Sequence, residues 1–201
     1  MQYEAHVYES PKLEAVLADI VAFFAQTPLL ALREPEGFPG SGAYGLYYRG
    51  GFTIYRGHPR TRPIYVGKAV PSGWRQGRQP RDTDPQLCLR LAEHLRSIEQ
   101  AENLDVDDFR CRFVIMPGPA TDLIASVENA LIRRYQPLWN SVIDGFGIHH
   151  PGGGRYGQAP SEWDTLHPGR PWVKRLTGTP PDHDSLVAEV RQHIRTLQQS
   201  P

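Results

Sequence analysis

Apolar residues along this chain follow two spacings, one helical and one extended. Leu13, Val16, Leu17, Ile20, Val21 and Phe24 recur every three to four positions. Ser10-Pro11 precedes them as an N-cap and a first helical proline, so an amphipathic helix is expected, ending before Thr27-Pro28. Leu87, Leu91, Leu95 and Ile98 form a second stripe behind Asp84-Pro85. Leu123, Ile124, Val127, Leu131 and Tyr135 form a third, with Thr121 as its expected cap and Pro137 as its stop. Residues 183–199 predict a C-terminal helix. Extended segments are expected at 43–49, at "FTIY" after the turn signal Gly50-Gly51, at "PIYVGKAV" from Pro63, and at the alternating "FRCRFVIM" from Phe109. The first two should pair as a hairpin. Residues 28–42 and 71–84 read as loops, and 138–181 as an irregular stretch rich in Gly, Pro, Trp and His.

This order predicts an α+β fold, a small mixed or antiparallel sheet flanked by helices. With 201 residues there is room for one domain with a sizeable core. Its expected divisions are an N-terminal helical segment over 1–42, a core over about 43–140 and a C-terminal extension over 141–201. Cys88 and Cys111 are far apart and form no CxxC, which excludes a disulfide scaffold and a cysteine-rich zinc site. No apolar run reaches spanning length and "MQYEAHVYES" carries no signal region, so a cytoplasmic protein is expected.

Charge changes the picture through its layout. Lys plus Arg and Asp plus Glu both number 22, which by itself argues against a nucleic-acid partner. Yet no acidic residue occurs between Glu36 and Asp82, while Arg49, Arg56, Arg60, Arg62, Lys68, Arg75, Arg78 and Arg81 all do. Trp74, Gln76 and Gln79 interleave with them and offer stacking and base-edge hydrogen bonds. A basic DNA-contacting face on a neutral protein is the expected consequence. Arg155 and Gln158 in "GRYGQ" and Arg170 in "HPGR" extend the set of candidate DNA contacts. Arginine favours guanine and glutamine favours adenine in the major groove, so the arginine excess leans toward a G·C-rich site; phosphate contact alone would carry no sequence information.

Gly45-Leu46-Tyr47, followed by Tyr65-Val66-Gly67, resembles the signature of the GIY-YIG nuclease superfamily. The resemblance continues through Arg90 and His94 on the following helix, Glu128 on the next, and Asn140 just beyond it. "PIYVGKAVPSGWRQ", "PLWNSVIDGFG" and "WDTLHPGR" resemble the type II restriction endonuclease branch. Leu46 and Val66 replace isoleucines, and His94 stands where many members carry tyrosine. The resemblance implies a double-stranded DNA substrate, one Mg²⁺ per site held by Glu128 (Mn²⁺ being an alternative), and a homodimer matched to a palindrome.

The residue types suit that chemistry. A tyrosine titrates near pH 10, so at neutrality it needs a base beside it to accept a proton from water. His94 can be that base, and Tyr47 is the expected acceptor for the water proton. Arg90 lies one helical turn from His94 and can fork onto the scissile phosphate. Glu128 supplies a hard carboxylate. Tyr65 can hydrogen-bond the phosphate or the water, and Asn140 can orient Glu128 or the phosphate. Lys68 is expected to meet a DNA phosphate or the reacting group. "VGKA" lacks the GxxxxGK[ST] spacing of a nucleotide-binding loop. Three other readings stay open at this level: a DNA-binding module that keeps the fold without catalysis, a repair or homing-type nuclease, and an HNH-type site using His94, Asn140 and His150.

Overall fold

The computed structural model of the protein describes residues 3–76, 83–148 and 152–199. Ser10 caps the first helix as its sequence predicts, its hydroxyl accepting from the Leu13 amide, and α1 runs Pro11–Gln26. Four strands form one antiparallel sheet: β1 Leu30–Ala31, β2 Gly42–Tyr48, β3 Tyr65–Ala69 and β4 Phe109–Ile115, in the order β1-β4-β2-β3. β2 is therefore central and β3 is an edge. The remaining helices are α2 Gln86–Glu99, α3 Ile124–Tyr135, α4 Leu138–Ser141, α5 Glu162–Leu166 and α6 His183–Gln199.

The sheet is buried on both faces, so every residue of β2 is buried. Alternation then decides which helices each side chain meets. Tyr44, Leu46 and Tyr48 join the larger core with Leu87, Leu91 and Ile98 of α2 and Val190 and Ile194 of α6. Ala43, with Val66 of β3 and Val114 of β4, joins the other core with Val21 and Phe24 of α1 and Val127 and Leu131 of α3.

Two local expectations are corrected. "FTIY" is not a strand: Thr53–Tyr55 is a 3-10 turn, and β2 pairs instead with β3 across a longer connection. The Tyr55 ring is drawn inward, where its hydroxyl meets His167 Nε2 and accepts from Trp139 Nε1 at 2.9 Å. Those buried partners outweigh the β-propensity of the tetrapeptide. Thr121 does not cap α3. It lies in a 3-10 turn, Gly118–Leu123, and its hydroxyl donates to Met116 O at 2.8 Å.

Candidate active site

The centre of the site forms where β3 ends the sheet. Residues directly opposite in an antiparallel pair project to the same face. Leu46 pairs with Tyr65 and Tyr44 with Gly67, so Tyr44 and Tyr65 share a face. Gly67 has no side chain, and a Cβ there would strike the Tyr44 hydroxyl. The glycine thus opens a passage for the Tyr44 phenol under the edge strand. From the helix side, Leu87 and Leu91 anchor α2 in the core, and the same helix presents Arg90 and His94 to the tyrosines.

Tyr44 Oη and His94 Nε2 lie 2.5 Å apart in a buried hydrogen bond. The His94 ring stacks on Phe146, with centroids 4.6 Å apart, and meets Tyr65 edge-on at 5.2 Å. Arg90 Nη1 donates to Glu93 Oε2 at 2.8 Å and Nη2 to the Gly147 carbonyl at 3.1 Å. Burial raises the Tyr44 pKa well above that of a free phenol, with Arg90 pulling the other way. Burial raises Tyr65 as well, again opposed by Arg90. Burial works against the Arg90 charge, but Tyr44 and Glu93 more than offset it and hold its pKa above the ordinary value. The phenols are therefore neutral at pH 7 beside a fixed cation.

Glu128 approaches the same edge from the other side of the sheet, on α3. Its carboxylate is ion-paired with Lys68 of β3, and its charge is felt by both Tyr44 and Tyr65. Among the described residues, no group of three or more His, Cys, Asp or Glu side chains could hold a metal ion. Glu128 is the single carboxylate expected for that role.

Tyr47 is not part of this assembly. It projects from β2 to the opposite face, where Arg112 lies over its ring at 5.8 Å, and burial raises its pKa. The expectation that Tyr47 sits beside His94 is corrected: Tyr44 takes that position. The chain carries two consecutive Gly-X-Tyr tripeptides, Gly42-Ala43-Tyr44 and Gly45-Leu46-Tyr47. Cross-strand parity with Tyr65 is the signal that separates them. Tyr48 shares the Tyr44 face, but its hydroxyl accepts from the Phe52 amide at 2.8 Å and serves the 49–55 turn.

Asn140 has a different partner from those expected. Its side chain brackets Val66 on the free edge of β3, accepting from Val66 N at 2.8 Å and donating to Val66 O at 2.9 Å. Both functions of the amide are occupied, so it completes the edge strand between Tyr65 and Gly67 rather than touching Glu128. Trp139 N adds a bond to Ile64 O at 2.8 Å.

The candidate DNA contacts divide. Trp74 Nε1 reaches Asp122 Oδ1 at 3.4 Å, a long contact that lays the start of the basic loop beside the approach to α3. Gln76, Arg155 and Gln158 are exposed, and Lys68 is half-buried against Glu128. The side chain of Arg75, together with Arg78, Gln79, Arg81, His149 and His150, lies outside the described residues.

Arg170 is corrected as a DNA contact. It is 2 % exposed, with Nε 2.8 Å from Asp164 Oδ1, and stacks on Trp163 with its guanidinium carbon 4.2 Å from the ring centroid. It donates to Gly145 O and Ile148 O, each at 3.0 Å, and so braces the turn whose Gly147 carbonyl receives Arg90. Arg170→Met should cost about 3–5 kcal/mol, because it strands the buried Asp164 carboxylate. Chemical denaturation checks this, and adding Asp164→Leu should recover much of the loss.

Residues 36–194 match the family described as the Eco29kI GIY-YIG domain. No match was found among curated proteins. Among the described residues no helix is long and apolar enough to cross a membrane. Because the match spans most of the chain, including the sheet edge that gathers Tyr44, Tyr65, Arg90, His94 and Glu128, the protein belongs to the Eco29kI GIY-YIG family of restriction endonuclease domains.

Proposed function

We propose that the protein is a site-specific type II restriction endonuclease of a restriction-modification system, hydrolysing phosphodiester bonds of double-stranded DNA in the cytoplasm. The observation that carries the reading is the Tyr44–His94 hydrogen bond of 2.5 Å beside Arg90 at the edge of the sheet. In this reading the Tyr44 oxygen takes a proton from the attacking water as the Tyr44 hydroxyl proton passes to His94 Nε2. The proton lost by the attacking water is thereby delivered to His94, which becomes an imidazolium, without forming a free phenolate in a buried site. Arg90 holds the scissile phosphate through its guanidinium, and Tyr65 orients the phosphate or the water by a hydrogen bond. Asn140 keeps the edge strand in register so that Tyr65 and Lys68 stay in place.

The donor set fits one divalent cation. The Glu128 carboxylate already accepts a positive group, the Lys68 ammonium, in a half-buried position beside both tyrosines. Mg²⁺ is usually held by one or two carboxylates together with waters and phosphate oxygens. When bound, the ion would supply charge to offset that developing on the phosphate. Lys68 is then available to a phosphate oxygen.

Recognition is assigned to the loop after β3, through Trp74, Arg75, Gln76, Arg78, Gln79 and Arg81, with Arg155 and Gln158 from the C-terminal extension. Its arginine content favours a short G·C-rich palindrome. A homodimer would match that two-fold symmetry. Digestion of a sequence-diverse plasmid with Mg²⁺, followed by sequencing of the ends, tests the reading. Discrete fragments sharing one terminal sequence are expected. A smear would mean a non-specific nuclease, dispersed cuts near a long site a repair or homing activity, and a gel shift without cleavage a DNA-binding module.

A further inference from the structure

Tyr47 lies on the face of β2 away from His94, and its surroundings have a chemistry of their own. Its ring lines a cavity of about 260 Å³ on the face of the sheet away from Tyr44, together with Arg49, Arg60, Thr61, Arg112 and Tyr135. A water molecule's share of the liquid is about 30 Å³, so a phosphate group fits with solvent to spare. Three arginines are among the residues that line this space and no acidic residue is. Among the described residues, none of Arg49, Arg60 and Arg112 is in an ion pair. A neighbouring cleft shares Thr61 and Tyr135 and adds Arg62 and Arg134, again without a lining carboxylate.

The three arginines are not equivalent. Arg112 has a structural partner, since Nη1 donates to Ala25 O in the last turn of α1, yet its Nε is buried with no hydrogen-bond partner. Its guanidinium lies over the Tyr47 ring, with its carbon 5.8 Å from the centroid. Arg49 and Arg60 are exposed and come from the two ends of the connection between β2 and β3. Unpaired cations gathered around a hollow repel one another, and an oxyanion relieves that repulsion. A planar guanidinium matches phosphate oxygens in geometry as well as charge.

We propose that this cavity is a phosphate-binding site, in which Arg49 and Arg60 grip the oxyanion, the Thr61 hydroxyl donates to it, and Arg112 and Tyr47 form its wall. Its position suggests the source of the phosphate. On α3 the cavity-lining Tyr135 lies seven residues beyond Glu128, which puts the cavity about 10 Å along the helix from the candidate metal carboxylate. In the nuclease it seats a backbone phosphate of the duplex away from the bond that is cut. That source rests on the nuclease reading, whereas the anion site itself does not. The alternative source of the same chemistry is a free phosphate or mononucleotide.

The test uses the full chain and the double variant Arg49→Gln/Arg60→Gln, whose exposed positions leave the fold intact, as far-ultraviolet circular dichroism can verify. Inorganic phosphate binding is measured by calorimetry in chloride buffer of fixed ionic strength. Arg90 offers phosphate a second place, so the quantity of interest is the decrease in binding caused by the double substitution. About tenfold is expected for each arginine, the size of one charge-assisted hydrogen bond. In parallel, the salt dependence of duplex binding is measured in the Glu128→Gln background. A fall in slope of about 0.9 for each phosphate no longer neutralised identifies the duplex backbone as the source. Weakened phosphate binding with an unchanged slope identifies free phosphate instead. Phosphate binding by the double variant equal to that of the wild type overturns the proposal, whatever the slope. If the wild type binds no DNA at all, the nuclease reading fails while the phosphate measurement still decides the site.

Discussion

Tyr44→Phe should lower single-turnover cleavage by about 10²–10⁴-fold, the usual worth of a positioned proton acceptor. The substitution removes one hydroxyl and leaves the ring, so the packing of Tyr44 against Tyr65 and His94 is preserved. What disappears is the 2.5 Å link to His94 Nε2. DNA affinity should stay near that of the wild type, because a buried phenol at the reacting water contributes little ground-state binding. Tyr47→Phe is the matched comparison. Its hydroxyl lies on the other face of β2, so the chemical step at saturating DNA should proceed within a few-fold of wild type. Rapid-quench cleavage of one duplex by both variants separates the two tyrosines. A loss confined to Tyr47→Phe would reverse the assignment, and equal losses would mean that β2 as a whole has been disturbed.

Glu128→Gln should abolish detectable cleavage while sparing specific DNA binding. The amide keeps the size of the side chain on α3 and removes the charge that would hold a divalent ion. Lys68 loses its ion-pair partner in the same step. It is half-exposed, so solvent takes over most of that role and the fold should survive. Wild-type cleavage should likewise stop in excess EDTA and return on addition of Mg²⁺ or Mn²⁺. Activity that persists in EDTA would remove the metal from the mechanism and leave Glu128 as a partner of Lys68 only.

Much of this molecule was legible from spacing. The stripes from Leu13 to Phe24, from Leu87 to Ile98 and from Leu123 to Tyr135 correspond to α1, α2 and, from Ile124 onward, α3, because a helix with one apolar face must bury it. The four-residue spacing of Arg90 and His94 makes them neighbours on one face of α2, and both face the tyrosines. "FTIY" misled because alternation over four residues is a weak signal, and three buried rings, Tyr55, Trp139 and His167, compete for the same segment. Arg170 misled because a lone arginine in a Gly- and Pro-rich stretch looks exposed. Its buried partner Asp164 is near in sequence, but only the packing of Trp163 and Trp172 around the guanidinium removes it from solvent.

The linear chain by itself determined the helices, the strand that carries Tyr65, the Arg90–His94 spacing and the gap in acidic residues that supplies Arg49 and Arg60 to the Tyr47 cavity. Each of these depends on residue type and short-range spacing. Only the tertiary structure decided between Tyr44 and Tyr47. They are three residues apart on one strand, an odd separation, and therefore face opposite sides of the sheet. Which side holds α2 depends on the register of β2 against β3 and on the helix that packs over it, and neither is written in the local sequence.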